Sequence, residues 1–338
     1  MRGAVLYGPR NVRLEEREAP KIVKPTDAII RMAVTCVCGS DLWDYRGINP
    51  ITQPKPMGHE YCGIVEEVGG AVTSIKPGQF VIGSFFASDN TCPNCRAGYP
   101  SSCQHREFVG DAQAPRLRVP LADGTLVATP DVPSDSMTPS MLALSDVMGT
   151  AWFAADAANV KRGKTVAVVG DGAVGLLGVL SAKQRGAERI IAMSRHNSRQ
   201  KLAREFGATD IVTERGDEGV ARVKELTHGI GADSVLECVG TQESMMQAIR
   251  STRRGGHVGY VGVPHGMKLD GAELFYAHVH LHGGPAPVRR FLPELINLVC
   301  NGKINPGKVF DLTLPLSQVA EGYRAMDERR AIKTLLRP

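Results

Sequence analysis

Residue types that bind metals lie close together in the first 150 residues of the chain. Cys38, in "CVCGSDLWDYRG", and His59, in "PMGHEYCGIV", offer a thiolate and an imidazole, and Glu60 adds a carboxylate beside the histidine. These are ligand types that zinc takes in proteins. Because Cys38 and His59 both lie at predicted turns between strands, ahead of a dinucleotide-binding motif, we interpret them as candidate zinc ligands. "LALSDVMGTAWFAA" offers Asp146 as a further carboxylate.

A second group of candidate ligands lies in the polar loop "DNTCPNCRAGYPSSC", which contains Cys92, Cys95 and Cys103. A closed structural zinc site needs four protein ligands. The residues alone therefore leave two interpretations open: the loop holds a metal with a fourth ligand of another type, or it holds none.

A glycine-rich segment, "TVAVVGDGAVGLLGV", predicts a dinucleotide site. Gly170, Gly172 and Gly175 have the G-x-G-x-x-G spacing directly after a predicted strand and at the start of a predicted helix. In that context Gly170 allows the tight turn, Gly172 lets the backbone approach a pyrophosphate, and Gly175 lets the helix pack on the sheet. The intervening Ala173 and Val174 belong to the same predicted site. A glycine turn that binds nothing is the competing interpretation, and the strand and helix around the motif argue against it.

The end of the next predicted strand, "AMSRHNSRQ", indicates which dinucleotide binds. An NAD site places an acid there to bind the adenosine ribose, whereas this chain has Ser194 followed by Arg195 and Arg199. Two cations and a hydroxyl suit a 2′-phosphate. Basic residues at a helix start oppose the helix dipole unless an anion offsets them. We therefore predict NADP(H) over NAD(H).

The hydrophobic pattern divides the chain into two domains. Up to about residue 145, short apolar runs broken by Gly, Pro, Asn and Asp predict β-strands and turns. From residue 163 strands alternate with amphipathic helices, which predicts a parallel sheet. Those elements are strands at 165–169, 189–193, 210–212, 234–238 and 257–261, helices at 173–185, 197–206, 218–227 and 242–252, then a helix near 288–301, a helix at 317–327 and a strand at 332–336.

The predicted fold is α/β, with a doubly wound parallel-sheet Rossmann domain inserted into a discontinuous β-rich domain. The tail has too little apolar surface to fold alone, so it is expected to complete the N-terminal domain. We place the β-rich domain at residues 1–148, completed by 288–338, and the cofactor domain at 149–287.

Composition excludes several classes of protein. The chain has 338 residues and a net charge of +5, with no run of basic residues interleaved with aromatics, so no nucleic-acid partner is expected. No stretch is long and apolar enough to predict a membrane span. Eight cysteines without an N-terminal signal pattern predict a reducing, cytoplasmic location. Cys36 and Cys62 alternate away from the ligand positions, and we expect them, with Cys238 and Cys300, to be buried.

The segments "CGSDLWDYRG", "GHEYCGIVEEVG", "GDGAVGLLGV", "GGPAPVRRFLPEL" and "AIKTLLRP" resemble, in this order and over nearly the whole chain, the zinc-dependent alcohol dehydrogenases of the medium-chain dehydrogenase/reductase superfamily. The pattern is most similar to the bacterial NADP-dependent secondary-alcohol dehydrogenases. The resemblance implies a GroES-like catalytic domain beside the Rossmann domain, an alcohol, ketone or aldehyde as substrate, and a homodimer or homotetramer.

The resemblance also implies roles for single residues around a catalytic zinc. Cys38, His59 and Asp146 would be the ligands, and Glu60 a carboxylate beside them or a transient fourth ligand. Three ligands leave one position open, as a catalytic zinc requires, and zinc acts there as a Lewis acid for hydride transfer. Ser40 matches the hydroxyl that starts a proton relay, although it is also a candidate helix N-cap.

Other positions match the family pattern less uniformly. Asp41 is expected to orient a ligand. Trp43 stands where the family often has a histidine, so we expect it to form a wall of the substrate pocket, together with Trp152. The positions carried over to the cofactor are Gly262, Val263 and Pro264 at the nicotinamide end and Lys333 near the pyrophosphate, with Val239 as a further cofactor-binding residue.

The family resemblance also bears on the three-cysteine loop. In the family this lobe carries four cysteines, and the spacing of Cys92 and Cys95 places the missing first ligand at Asp89. Asp89, Cys92, Cys95 and Cys103 can close a tetrahedron, because carboxylate oxygen is an acceptable zinc ligand. We favour an occupied structural zinc site, while a turn-capping role for Asp89 is the alternative.

Three other functions fit parts of the sequence. A zinc-free quinone or enoyl reductase on the same fold would lack Cys38 and His59 in their context. An NAD-linked polyol-type dehydrogenase of the same superfamily would keep them. A zinc-stabilised nucleotide-binding regulatory protein without turnover would lack an open zinc position. We also considered a metal site at His278, His280 and His282, expected on one strand face, and set it aside in favour of a subunit-pairing strand.

Overall fold

The computed structural model describes all 338 residues. The strands are β1 Arg2–Leu6, β2 Val12–Glu16, β3 Ala28–Cys36, β4 Lys55–Pro56, β5 Tyr61–Val68, β6 Phe80–Gly83, β7 Phe86–Ala87, β8 Glu107–Phe108, β9 Arg116–Val119, β10 Leu126–Ala128, β11 Thr165–Val169, β12 Arg189–Met193, β13 Asp210–Val212, β14 Ala232–Glu237, β15 Thr252–Tyr260, β16 His280–Gly283, β17 Phe310–Pro315 and β18 Lys333–Arg337.

The helices connect these strands and are shorter in the N-terminal part than in the middle of the chain. They are α1 Asp41–Tyr45, α2 Pro93–Arg96, α3 Ala122–Thr125, α4 Thr138–Leu144, α5 Val147–Ala157, α6 Ala173–Gln184, α7 Asn197–Phe206, α8 Gly216–Leu226, α9 Gln242–Ser251, α10 Gly271–Ala277, α11 Val288–Cys300 and α12 Val319–Asp327. None of them combines the length and the apolar composition needed to cross a membrane.

The chain folds into two compact units. The first, the catalytic unit, comprises Met1–Gly149 and Pro287–Pro338, and the second, the cofactor unit, comprises Thr150–Ala286. The C-terminal segment is part of the catalytic unit because β18 pairs antiparallel with β3, with Leu336 opposite Thr35. An apolar strand edge on β3 is thereby covered by chain that follows the cofactor unit.

The main sheet of the catalytic unit has the strand order β10-β6-β5-β3-β18-β17, with β9 paired to β3. Strands β3 and β5 run antiparallel and place Thr35 opposite Tyr61. The core on this sheet includes Ile30, Tyr61 and Leu126, which are fully or almost fully buried. Because Cys38 follows β3 and His59 precedes β5, this register brings the two predicted zinc ligands to the same end of the strand pair.

The cofactor unit contains a six-stranded parallel sheet in the order β13-β12-β11-β14-β15-β16. This is the doubly wound order in which the chain reverses direction between β11 and β14, so a crevice opens at their carboxyl ends. The strands are apolar because helices cover the sheet. The observed elements agree with the predicted ones from residue 165 to residue 252 within two residues, except that β15 begins earlier, at Thr252.

Two expectations about single residues were wrong. His278 does not lie on a strand, because it has a left-handed backbone (φ 54°) and ends α10, so only His280 and His282 share a strand face. Cys300 is exposed at the end of α11, whereas Cys36 and Cys62 are buried as predicted and Cys238 is partly exposed. Cys300 follows the apolar run "INLV", and only the packing of α11 decides which residues at the end of this helix face solvent.

The glycine motif of the cofactor unit has one position, Gly175, with no room for a side chain and one, Gly172, with room for it. A Cβ atom on Gly175 would lie 2.0 Å from the carbonyl oxygen of Gly170, whereas a Cβ on Gly172 would meet nothing within 4 Å. Gly175 is therefore required for α6 to begin directly against the turn that follows β11.

We predict that Gly175→Ala lowers the free energy of unfolding by about 1–3 kcal/mol or more, since the backbone of the turn must shift to admit the methyl group. Gly172→Ala is the matched control and should cost less than about 1 kcal/mol, because a Cβ atom there meets nothing within 4 Å and alanine adopts this backbone conformation (φ −74°). Urea unfolding monitored by circular dichroism measures both, and equal losses would contradict the packing argument.

Candidate active site

The predicted metal ligands of the catalytic unit are brought together by strands β3 and β5. Cys38 lies two residues after β3, and His59 and Glu60 immediately precede β5. The Thr35 hydroxyl donates a 2.8 Å hydrogen bond to the backbone oxygen of Glu60, which links the end of one strand to the start of the other. The strand register therefore places three ligand candidates within one short turn region.

Asp146 joins this group from the short link between α4 and α5. The neighbouring Ser145 anchors the link, because its hydroxyl donates to the Gly83 oxygen (2.7 Å) and accepts from the backbone N–H of Tyr61 (3.0 Å). Sequence reasoning did not identify Ser145, although a buried serine beside a candidate ligand is a signal that could have indicated it. The link thus attaches Asp146 to the ends of β5 and β6.

The four side chains form one buried cluster, and their spacing fits a zinc ion. The candidate ligand atoms of Cys38, His59, Glu60 and Asp146 all lie within 4.8 Å of one another. Asp146 Oδ2 lies 3.5 Å from Cys38 Sγ and 3.3 Å from His59 Nε2. Zinc bonds of about 2.0–2.3 Å in a tetrahedron would place ligand atoms about 3.3–3.8 Å apart. The observed distances are of that size.

Asp41 orients two of these residues, as expected for a carboxylate behind the ligands. Its Oδ1 lies 3.3 Å from His59 Nδ1, and its Oδ2 accepts a 3.0 Å hydrogen bond from the backbone N–H of Cys38. Because Nδ1 is occupied, the other ring nitrogen, Nε2, faces Asp146 and the cluster. Burial raises the pKa of Asp41, but the nearby His59 outweighs it and holds that pKa below its usual value.

Lys333 has a partner that sequence reasoning missed. Its ammonium lies 2.6 Å from Glu60 Oε1 and 3.1 Å from the Val37 oxygen, and the side chains of Lys333 and Glu60 are each 1% exposed. The structure thus directs Lys333 at the metal cluster, while its predicted place near the pyrophosphate stays a prediction. The signal was available, since a lysine on an apolar C-terminal strand needs a buried acid.

The electrostatics of the cluster favour a cation. Burial, together with Glu60 and Asp146, raises the pKa of the Cys38 thiol to about 11. Burial also raises the pKa of Glu60, which the Lys333 ammonium offsets only in part. Glu60 Oε2 is buried without a hydrogen-bond partner. The cluster offers a soft thiolate, an imidazole and two carboxylates, and one of these carboxylates has an oxygen without a hydrogen-bond partner. Zinc fits this set of donor atoms.

Ser40 and Trp43 lie next to this cluster along the chain. Ser40 precedes α1, but its side chain makes no capping hydrogen bond, so the hydroxyl is not used for the N-cap that the sequence suggested as an alternative. Trp43 is partly exposed, and the guanidinium carbon of Arg46 lies 5.9 Å from its ring centroid. The hydroxyl of Ser40 is therefore not committed to the helix end.

Trp152, predicted as a wall of the substrate pocket, is a buried residue of α5. It is 5% exposed, and the Arg185 guanidinium lies 4.8 Å from its ring centroid. One face of the ring therefore makes a cation–π contact, and its place in the pocket wall stays a prediction. A tryptophan in "GTAWFAA" has the same sequence signature whether it lines a pocket or packs inside a helix layer.

Aromatic side chains that the sequence analysis did not single out surround His59. The ring centroid of His59 lies 6.1 Å from that of Phe85 and 5.7 Å from that of Phe108, and Phe108 is 56% exposed. Phe86 packs against both phenylalanines. A histidine beside an exposed aromatic ring gives the cluster one apolar, solvent-facing side. The doublet "FF", one residue after the end of β6, was a sequence signal for this apolar side.

The three-cysteine loop forms a second compact group. The candidate ligand atoms of Asp89, Cys92, Cys95 and Cys103 lie within 4.8 Å of one another. Cys92 Sγ lies 3.5 Å from Cys95 Sγ and 3.9 Å from Cys103 Sγ, and Cys95 Sγ lies 3.4 Å from Asp89 Oδ1. The structure therefore brings together all four residues that the family spacing predicted for a structural zinc.

Backbone groups and one histidine support this loop. The N–H of Gln104 donates to Cys92 Sγ (3.5 Å) and lowers the pKa of Cys92 to about 7. Asp89 Oδ1 accepts from the N–H of Thr91 (2.8 Å), as the turn-capping alternative requires, while its Oδ2 lies 2.6 Å from His105 Nδ1. Sequence reasoning missed His105, although a histidine two residues after Cys103 has metal-site spacing.

In the cofactor unit, the predicted phosphate-binding residues meet an acid that sequence reasoning passed over. Asp171 lies inside the glycine turn, and its Oδ2 accepts a 2.8 Å hydrogen bond from the Ser194 hydroxyl. Arg199 Nη1 lies 3.3 Å from Asp171 Oδ1 and 3.2 Å from its backbone oxygen. Arg195, which follows Ser194, is exposed. The signal was the acid between the first two glycines of the motif.

The residues predicted at the nicotinamide end also lie together. A Cβ on Gly262 would lie 2.1 Å from the backbone nitrogen of Gly240, and a Cβ on Gly170 would lie 2.8 Å from the Val239 side chain. Buried Glu237 holds this loop, because its Oε1 accepts from the N–H groups of Val239 (2.9 Å) and Gly240 (2.8 Å). Val239 and Gly262 thus adjoin the glycine turn, and Val263, the residue after Gly262, is exposed.

A GroES-like unit with a buried Cys/His/Glu/Asp cluster and a Rossmann unit together define a class, the zinc-containing medium-chain dehydrogenases. Residues 24–141 match the family model "Alcohol dehydrogenase GroES-like domain" and residues 173–299 match "Zinc-binding dehydrogenase". The chain belongs to the zinc-type alcohol dehydrogenases of the medium-chain dehydrogenase/reductase superfamily.

Individual relatives agree with this family over the full chain. The chain is 34% identical to a probable zinc-binding alcohol dehydrogenase of Mycobacterium tuberculosis, over 100% of this chain and 89% of that protein. It is 33% identical to zinc-type alcohol dehydrogenase B of Aspergillus flavus, over 100% and 81%. Its fold is similar to that of the alcohol dehydrogenase TADH from Thermus sp. ATN1, with a TM-score of 0.90, 31% identity, and 100% and 99% of the two chains covered.

We predict that Lys333→Met lowers the free energy of unfolding by about 3–5 kcal/mol, because it leaves the Glu60 charge buried without its partner. Lys333→Met combined with Glu60→Gln should recover part of the loss. Lys55→Met, which removes an exposed lysine paired with Asp44, is the matched control and should cost no more than about 1 kcal/mol. Urea unfolding of the zinc-loaded protein measures all three, and similar losses for Lys333→Met and Lys55→Met would contradict the buried-pair argument.

Proposed function

We propose that this zinc-dependent alcohol dehydrogenase transfers a hydride between an alcohol, with secondary alcohols favoured, or the matching ketone or aldehyde, and NADP(H). Cys38, His59 and Asp146 would hold the catalytic zinc, with Glu60 as an additional carboxylate. The observation that carries the proposal is the buried cluster of these four side chains, whose ligand atoms lie within 4.8 Å of one another.

The chain's own residues have separate tasks in this proposal. Zinc, when bound, supplies Lewis acidity that makes the substrate hydroxyl more acidic and the carbonyl more electrophilic. Asp41 fixes the His59 ring through Nδ1, and Lys333 neutralises one oxygen of Glu60. The Ser40 hydroxyl, not used for capping, exchanges a proton with the substrate oxygen. Water or a cofactor ribose hydroxyl then completes the proton path, since Trp43 cannot.

The aromatic side of the cluster supports an apolar substrate. Phe85 and Phe108 lie beside the His59 ring, and Trp43 follows Ser40 on α1. Such walls favour alkyl or aryl substituents on the carbinol carbon, and one methylene changes selectivity by about 1–3 kcal/mol. A polyol would leave hydroxyl groups unpaired against these rings, which argues against the polyol-dehydrogenase alternative.

A cationic group supports NADP(H). Arg195 and Arg199 follow β12, and the charges of Arg199, Arg215 and His196 act together on the turn that contains Asp171. Ser194 replaces the acid that would repel a 2′-phosphate. Arginine forks match phosphate oxygens better than other cations do.

We also propose a structural zinc held by Asp89, Cys92, Cys95 and Cys103, and a homo-oligomer. The second proposal is supported by β16, an edge strand of the parallel sheet, near which Phe275 and Tyr276 are 78% and 72% exposed. Unpaired edge strands with exposed aromatic neighbours suit pairing with another copy. Sedimentation equilibrium gives the number of chains.

We predict two zinc ions per chain by mass spectrometry. Cys38→Ser should remove one zinc and abolish ketone-dependent NADPH oxidation. Cys103→Ser should also remove one zinc and lower Tm, but it should keep most of the turnover, because the three-cysteine loop shares no ligand with the catalytic cluster. Full chelation should abolish activity, and added zinc should restore it. Turnover that survives complete loss of zinc would overturn the proposed mechanism, and one zinc per wild-type chain would overturn the structural site.

We predict that NADPH binds more tightly than NADH, and that Arg195→Ala raises the Kd for NADPH about tenfold through loss of a phosphate contact, with little change for NADH. Arg204→Ala serves as the control, because it removes an exposed cation from the last turn of α7, the helix that begins two residues after Arg195. Titration of nucleotide fluorescence measures the six Kd values, two cofactors for each of the three proteins. Wild-type protein that binds NADH at least as tightly as NADPH would contradict the preference.

A further inference from the structure

The glycine turn of the cofactor unit contains an ionised group that faces the predicted phosphate site. Asp171 and Arg199 are 13% and 12% exposed, and Arg199 Nη1 lies 3.3 Å from Asp171 Oδ1. The other carboxylate oxygen, Asp171 Oδ2, accepts a 2.8 Å hydrogen bond from the Ser194 hydroxyl. Ser194 and Arg199, two of the side chains expected to recognise a 2′-phosphate, therefore hold both carboxylate oxygens of Asp171.

The charges around Asp171 keep it anionic. Burial raises its pKa, but the hydrogen bond from Ser194 and the charges of Arg199, Arg215 and His196 outweigh burial and hold the pKa below its usual value. The Asp171 carboxylate thus neutralises part of the positive charge of these residues before any cofactor binds. The basic residues at the start of α7 are offset by an anion of the chain itself, where sequence reasoning expected an anion of the ligand.

A carboxylate and a phosphate require the same donors. A 2′-phosphate that takes up Arg199 and Ser194 must share or displace their bonds to Asp171, and it places its own negative charge near an existing one. A ribose hydroxyl meets no such conflict, because it can donate to a carboxylate as it does to the acid of an NAD site. The same side chain therefore disfavours one cofactor and is compatible with the other.

We propose that Asp171 is a specificity-determining residue, which competes with the cofactor 2′-phosphate for Arg199 and Ser194 and so limits the preference for NADP(H) over NAD(H). The inference rests on the proposed function, since it needs the dinucleotide to bind at the glycine turn. Asp171 acts on the affinity ratio between the two cofactors and has no part in hydride transfer.

The test measures fragment binding, so it does not depend on turnover. Isothermal titration of the zinc-loaded full chain with 2′,5′-ADP and with 5′-AMP gives the contribution of the 2′-phosphate as a ratio of Kd values. Asp171→Asn keeps the size of the side chain and removes its charge. Asp210→Asn is the matched control, because Asp210 is also held by an arginine, Arg189, and a hydroxyl, Thr209, in the same unit.

Asp171→Asn should increase the preference for 2′,5′-ADP over 5′-AMP about tenfold, within the usual range of coupling between neighbouring groups. Asp210→Asn should leave this ratio within about twofold of wild type, since exposed or distant charges are screened. An unchanged ratio in Asp171→Asn, with 5′-AMP binding and Tm retained, would overturn the inference. An equal increase in Asp210→Asn would also overturn it, by showing an effect of net charge alone.

The ratio in the wild-type protein tests the proposed NADP(H) preference separately. If wild-type protein prefers 5′-AMP and Asp171→Asn reverses the order, the NADP(H) proposal fails and the inference about Asp171 stands. If wild-type protein already prefers 2′,5′-ADP and the variant does not change the ratio, the NADP(H) proposal stands and the inference fails.

Discussion

The candidate active site depends on the antiparallel pairing of β3 with β5. Thr35 opposite Tyr61 determines that Cys38 and His59 leave the sheet at the same end, and Ser145 attaches Asp146 to the ends of β5 and β6. A shift of one residue in this register would send every side chain of the strand to the other face. The C-terminal strand β18 pairs with β3 as well, and therefore delivers Lys333 to Glu60 from more than 270 residues away in sequence.

This arrangement concentrates negative charge in a buried place. Two carboxylates and a thiol share one cluster, with only His59 and Lys333 as nearby cationic partners, and burial raises the pKa of both Cys38 and Glu60. A divalent ion removes that electrostatic cost by replacing lost hydration with direct bonds. The family relationship and the geometry thus agree on the same physical requirement. The apolar rings beside His59 then limit which substrates can approach.

The cofactor unit shows how a chain can compensate its own charges. The arginines after β12 are typical of a 2′-phosphate site, and the sequence provides no acid at Ser194. The fold nevertheless places Asp171 against Ser194 and Arg199, because the turn after β11 lies beside the end of its parallel neighbour β12. If Asp171 acts as we propose, cofactor choice reflects the balance among several charges around one turn, rather than the identity of one residue at the strand end.

The sequence by itself determined the fold class, most element boundaries of the cofactor unit, the family and the candidate residues of both ligand groups, because periodicity, glycine spacing and metal-binding residue types are local signals. Only the tertiary structure decided which residues face one another: Lys333 at Glu60, Asp171 between Ser194 and Arg199, Trp152 in the interior and Phe108 beside His59. These contacts join segments far apart in the chain, and strand register and helix rotation set them. Local patterns do not determine which distant residues meet, since the same sequence signature suits a buried, a paired or an exposed side chain.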